Sequence, residues 1–381
     1  MSNTAAQISP AVLERAPYYA DLDAARGMLM ALGVVIHTAN IYSPGASDVI
    51  PDPDGGAAFT YIVEAMHLFR MPAFFLISGF FCAMSLHKYG AGKVLRVRAL
   101  RLLLPLVTTV LTFNVGALWL LARAGVVSLG PPLSAGNALA EFATVNWLLH
   151  LWFLVVLFAF VAISALLFAV ARKKPPSISA SFRSIDPLYL APVFALLSYG
   201  APAFGAIASS VVYTPRVGAL TVYTFLEYAP YFIVGYYLFS RPEMMSKLRR
   251  YSNAKAMLFL AVVLFWPVEK ITRLLPDALE LGFAALGSWV ATLTAFPVFV
   301  ALVDRLQFDA RALARASYTF YLAHFVLVTA YSTLVVRVSA PAGVEFSFIV
   351  AATLALTLLF HFYVVQKSSI LSLSLNGRHI R

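Results

Sequence analysis

The chain has 381 residues, 61% of them apolar and 12% charged, with a mean hydropathy of +0.82; a soluble domain carries about 25% charged residues, so a water-solvated globule is excluded. The net charge of +11 could suit nucleic acid, but the cations sit in short stretches between apolar runs and form no continuous basic face, which argues against that partner. The single cysteine, Cys82, excludes a disulfide framework and a thiolate metal cluster.

Residues 1–23 are polar and mixed in charge and lack the apolar core of a signal peptide, so the first helix is expected to act as the insertion signal. With about 20 apolar residues taken as one crossing, ten spans are expected, at 25–44, 59–83, 102–122, 144–171, 188–208, 219–239, 255–269, 281–303, 313–335 and 346–366. The seventh is short, and Pro267, Glu269 and Lys270 interrupt its end. The expected fold is therefore all-α, a polytopic integral membrane protein with one domain over residues 1–381 and solvated linkers near 123–143 and 171–187. Alternate connections carry 21 and 5 Lys plus Arg. Because cytoplasmic loops hold the excess, both termini are expected in the cytoplasm and Asp48, Asp52 and Asp54 outside.

Ionisable groups inside apolar spans are costly and usually face a bundle interior or a wet cavity. In the first span His37 follows Arg26 by eleven residues, about 16 Å along a helix and within about 20° of three full turns, so both project from one face. The plainer alternative is a snorkelling Arg26 and a structural His37. In the second span Glu64, His67 and Arg70 recur at three-residue spacing and should share one broad face, with Arg70 at the depth of His37. They would form either an ion-pair ladder or a fixed cation able to stabilise an oxyanion. Arg98 and Arg101 open the third span, His150 and Trp152 the fourth; His324 lies in the ninth and His361 in the tenth. No metal-ligand spacing links these histidines, and no nucleophile-elbow, Walker or dinucleotide signature is present.

Several of these segments together resemble the acyltransferase-3 family. The carriers are Leu22-Asp23 with Arg26 and His37, the run Phe69-Arg70-Met71-Pro72 through Phe81, Arg98 and Arg101 with Pro105, and Ser317 through Tyr321-Leu322-Ala323-His324. Within that family, Asn40-Ile41-Tyr42-Ser43, His67 with Arg70-Met71, and His150-Leu151-Trp152-Phe153-Leu154 look most like the succinyltransferases of osmoregulated periplasmic glucans. The resemblance implies a multi-pass protein of the bacterial inner membrane with no permanently bound cofactor. Its donor would be an acyl-CoA, succinyl-CoA in this subgroup, and its acceptor a hydroxyl of a periplasmic glucan; lipids surround it and a homo-oligomer is left open.

A neutral His37 would then act as general base, helped by Arg26 and Arg70, while His67, His150, Trp152 and His324 would line the substrate path. Arg98 and Arg101 would meet the phosphates of coenzyme A. Tyr42, Trp147, Tyr213, Tyr228 and Tyr331 lie near span ends, as interfacial belt residues or as platforms for a glucan. Three rivals stand beside this expectation: a transporter of an anionic solute, acetyl transfer onto another envelope polysaccharide or lipid, and a covalent route through His37 or Cys82.

Overall fold

The computed structural model describes residues 19–45, 49–127, 143, 145–170, 185–306, 310–335 and 340–377. Most of the expected linkers, and Asp48 with them, lie outside the described residues. The apolar runs fold as helices, since backbone polar groups in lipid must be satisfied within the segment itself. In chain order these are α1 (Ala20–Tyr42), α2 (Ala57–His67), α3 (Arg70–Tyr89), α4 (Ala91–Thr109), α5 (Val115–Arg123), α6 (Trp152–Val170), α7 (Ala191–Ser198) and α8 (Gly200–Ile207). There follow α9 (Ser209–Val212), α10 (Val222–Phe239), α11 (Pro242–Arg249), α12 (Asn253–Thr272), α13 (Asp277–Leu306), α14 (Ala310–Val335), α15 (Ala342–Leu359) and α16 (Ser369–Asn376). A π turn at Val110–Asn114 joins α4 to α5, and a second at Phe360–Val364 extends α15. No strand forms among the described residues.

Eight segments are long and apolar enough to cross a membrane, so the protein is an all-α, polytopic membrane protein. They coincide with the expected spans one to five and eight to ten. The expected sixth and seventh are helices as well, α10 and α12, but Glu227 and several tyrosines dilute the first, while Lys255, Glu269 and Lys270 bracket the second. The expected second span is not one straight helix. α2 ends at His67 and α3 begins at Arg70, with Leu68 and Phe69 as a turn between them.

Polarity runs inside out relative to a soluble core. Leu111, Leu166, Leu196, Ile207, Met257 and Phe348 stand exposed on the bundle's outside, while Thr38, Asn114, Thr292, Thr319, His324 and His361 are buried. Buried hydroxyls turn back onto their own helix, as Thr329 does to the Phe325 carbonyl and Thr357 to that of Thr353. Asn114, at the first π turn, donates to the carbonyls of Trp147 and Leu148 at 3.0 Å and so fixes the segment leading into α6.

α1 is the central helix, packed against α2, α3, α13, α14 and α15. The most extensive helix pair is α3 with α10, and two glycines allow it. A Cβ on Gly79 would lie 2.9 Å from the Phe232 carbonyl carbon and from Tyr236 N, and one on Gly235 would lie 2.7 Å from the Leu76 carbonyl carbon. Small residues thus let the two backbones touch, the usual device where no hydrophobic effect drives helices together. At the cation-rich end, Arg249 pairs with Asp21 and ties α11 to α1, and Lys255 meets Asp186 at 2.7 Å.

Candidate functional site

The nine residues singled out in the sequence fall into two sets in neighbouring cavities. Arg26, Arg98 and Arg101 line a cavity of about 270 Å³ together with Arg315, Tyr318, His361 and Gln366. No carboxylate lines it among the described residues. Arg26 is held by Asp23 at 3.0 Å, one turn back on α1, and lies over the Phe81 ring. Tyr318 donates to the Arg101 carbonyl at 2.7 Å, anchoring the arginine-bearing turn of α4 to α14. Gly377, at φ +57° beyond α16, packs against the backbone of Leu100 and Arg101, so the C-terminal helix closes the same region. The chemistry on offer is a cluster of guanidinium groups suited to a multiply charged phosphate.

His37, His67, Arg70, His150, Trp152 and His324 line a second, larger cavity of about 560 Å³. Three imidazoles meet there, with ring centroids 5.2 Å apart for His37 and His324, 4.9 Å for His150 and His324, and 6.2 Å for His37 and His150. Local structure aims each ring. His150 follows Leu149, whose φ of +49° is a left-handed conformation rare for a branched residue; Asn146 accepts from the Leu149 N–H at 3.0 Å and stabilises that turn. His150 Nε2 then donates to the Tyr321 carbonyl at 2.9 Å, while the Tyr321 hydroxyl donates to the His150 carbonyl at 2.7 Å.

His324 Nδ1 donates to the carbonyls of Phe320 and Tyr321 at 2.8 and 2.9 Å. With those nitrogens as donors, His150 Nδ1 and His324 Nε2 keep their lone pairs, and both are buried without a hydrogen-bond partner among the described residues. Arg70 reaches the same place from α3. A Cβ on Gly33 would lie 3.1 Å from Arg70 Nη1 and 3.5 Å from His324 Nε2, so the glycine on α1 leaves room for both. No group of three or more His, Cys, Asp or Glu among the described residues has a geometry to hold a metal ion.

Two expectations need correction. Arg26 and His37 share a helix face but not a cavity, because Met30 lies between them on α1 and meets Phe74 of α3 and Phe153 of α6; those three side chains line both cavities and form the septum between them. Glu64, His67 and Arg70 are not one ladder, because the helix is interrupted at Leu68 and Phe69 and the three side chains do not line one cavity. Arg70 faces the histidines, Glu64 faces a third cavity, and His67 lines both. Of the five span-end aromatics, Tyr228 lines the histidine cavity and stacks on Trp152, with centroids 5.4 Å apart. Tyr42 instead donates to buried Glu345. Cys82 is fully enclosed and lines none of the three cavities.

Two residues in these cavities carry no motif. Arg315 counts in the sequence only as a loop cation, and Glu227, within the apolar run of α10, was legible as an intramembrane carboxylate but stands alone there.

The acyltransferase-3 family model, described as an acyltransferase domain, matches residues 19–362. Curated relatives named "Glucans biosynthesis protein C" from Salmonella enteritidis PT4 and Salmonella choleraesuis are each 29% identical over 234 residues, 59% of this chain and 59% of theirs. The match thus spans about three fifths of those relatives' length. No solved structure matches the chain. A match over nearly the whole sequence, on a helical bundle that holds both the histidine and the arginine motifs, places this chain in the acyltransferase-3 family of membrane acyltransferases.

Proposed function

We propose that the protein transfers an acyl group from a cytoplasmic acyl-CoA, succinyl-CoA by its likeness to the glucan proteins, to a hydroxyl of a glucan on the other side of the bacterial inner membrane. The observation that carries this reading is the pair of cavities in series, arginine-lined on one side of the Met30, Phe74 and Phe153 septum and histidine-lined on the other. The excess of Lys and Arg on the Arg98 side supports a cytoplasmic location for the arginine cavity and for both termini. Arg98, Arg101 and Arg315 bind the nucleotide phosphates there, and the pantetheine arm passes the septum to bring its thioester to His37.

Charge and bonds balance without a redox partner. His37 accepts the hydroxyl proton as the acceptor oxygen bonds to the thioester carbon; the C–S bond breaks, and the thiolate recovers the proton from His37. Arg70 stabilises the oxyanion of the tetrahedral intermediate. His37 is the base because it is the least buried of the three imidazoles and opens onto the cavity, with the His324 ring packed beside it at 5.2 Å between centroids. His37, Arg70 and His324 line one cavity, where the hydroxyl and the thioester can meet at a single imidazole, so direct transfer needs no acyl-protein step.

The test is purified protein in nanodiscs with labelled succinyl-CoA or acetyl-CoA and a glucan acceptor. Label should reach the glucan from succinyl-CoA, and His37→Ala should lower the rate by about 10²–10⁴-fold while the protein remains folded. Transfer from acetyl-CoA alone would overturn the succinyl assignment. Near-normal transfer in His37→Ala would remove the base. Movement of free solute without any acyl transfer would favour a transporter.

A further inference from the structure

A third cavity, of about 220 Å³, lies between α2, α10, α12 and α13 with α7 and α8 at its side. It lies against the histidine cavity, and three residues, His67, Glu227 and Tyr228, line both. We infer that this side chamber, with Glu227 at its mouth, is a binding subsite for a sugar ring, holding the unit of the acceptor next to the one whose hydroxyl reacts. The inference rests on the acyl-transfer reading for what happens next door, but the binding it assigns is independent of catalysis.

The lining has the chemistry a sugar needs. A pyranose presents two C–H faces and a rim of hydroxyls. Tyr199, Tyr223, Tyr231 and Trp266 supply aromatic surface for the faces. For the rim there are the hydroxyls of Ser198 and Ser288 and the carboxylates of Glu64 and Glu227. No Lys or Arg lines the chamber among the described residues, which disfavours a phosphate or carboxylate ligand.

The polar groups differ in what they already hold. Tyr231 and Ser288 share a hydrogen bond of 2.8 Å, and Ser198 accepts from the Trp289 indole at 2.8 Å. Glu64 is engaged by the Trp266 side chain. Glu227 has no hydrogen bond or ion pair among the described residues, though it is half-buried in a membrane bundle. An ionisable group in that setting normally marks a substrate path. A carboxylate on the partition between two cavities, with the Tyr228 ring beside it, can accept from vicinal hydroxyls of a ring in the chamber. The next ring of the same oligosaccharide then extends past His67 toward His37.

The experiment uses the full chain in nanodiscs without acyl-CoA. Glucose, maltose, cellobiose and sophorose are titrated by calorimetry, with choline chloride as a separate arm because an aromatic chamber with a carboxylate could also take an organic cation. At least one disaccharide should bind at least tenfold tighter than glucose. Glu227→Gln and Tyr223→Leu, on the same helix a turn apart, should each weaken that binding at least tenfold, and Arg98→Ala should leave it unchanged. Using two substitutions guards against misfolding in either, checked by thermal unfolding. The inference is overturned if no disaccharide binds, if both variants bind as the wild type does, or if choline alone binds in a Glu227-dependent way. Acyl transfer measured separately tells failure of the subsite from failure of the proposed reaction.

Discussion

The contact between α3 and α10 is where a single methyl should have the largest effect on the whole site. In Gly79→Ala the new Cβ meets the Phe232 carbonyl carbon and Tyr236 N at 2.9 Å, against ordinary contacts of 3.4–4 Å, and the obstacle is backbone that no rotamer can move aside. The helices must part by at least about 0.5 Å, the difference between those distances, and overpacking of this kind costs roughly 1–3 kcal/mol. α3 carries Arg70 and Phe74, and α10 carries Glu227 and Tyr228, so the parting displaces two walls of the histidine cavity. It also disturbs the stacked pair of Phe75 and Tyr228, whose centroids are 4.9 Å apart.

Since a misplacement of about 1 Å can cost about 10²-fold in rate, a loss of roughly tenfold in turnover is expected together with a lower melting temperature. Gly282→Ala on α13 is the control. Nothing lies within 4 Å of its added Cβ, so helix propensity should leave it as stable or up to about 1 kcal/mol more stable. Thermal unfolding in nanodiscs and the transfer assay read both outcomes. Gly79→Ala with the melting temperature and rate of the Gly282→Ala control would refute the close packing and the link drawn from it to the site.

Other substitutions separate the parts of the site. Arg98→Ala and Arg101→Ala should raise the KM for acyl-CoA by at least tenfold with a smaller change in kcat, because the phosphates are remote from the reacting carbon; an unchanged KM in both would make the arginine cavity a topology signal only. Cys82→Ser should keep its activity, and labelled acyl-CoA alone should leave no stable label on the protein. A stoichiometric acyl-protein that is chased into glucan would replace direct transfer with a two-step route. Cysteines at Asp54 and Lys88, at the two ends of the segment formed by α2 and α3, should react with an impermeant reagent from opposite sides of the membrane; labelling of both from one side would contradict the assigned orientation.

Much of this bundle can be read from hydropathy, because the apolar runs are long and lipid leaves the backbone no alternative to helix. Depth along a helix is legible too. His37 and Arg70 were expected at similar depth, and the structure brings both to Gly33 and His324. What a single span cannot reveal is its rotation against its neighbours. Nothing near His150 in sequence foretells that the Leu149 turn and the Tyr321 clamp bring its ring to that of His324, 174 positions later in the chain. Periodicity also fails where the helix itself stops. Glu64, His67 and Arg70 read as one face only if the helix continues through Leu68 and Phe69, and it does not.

The septum shows the same limit at the point that matters most for function. On α1 alone, Arg26, Met30 and His37 form one uninterrupted face, and the natural reading is one open path from cation to imidazole. Phe74 and Phe153 come from helices α3 and α6, and together with Met30 they line both cavities and stand between them. On the proposed route a pantetheine arm from the arginine cavity would pass these three apolar side chains to bring its thioester to His37. That arrangement suits group transfer by a slender pantetheine arm better than passage of a hydrated anion, for which an apolar constriction with no polar lining is a barrier.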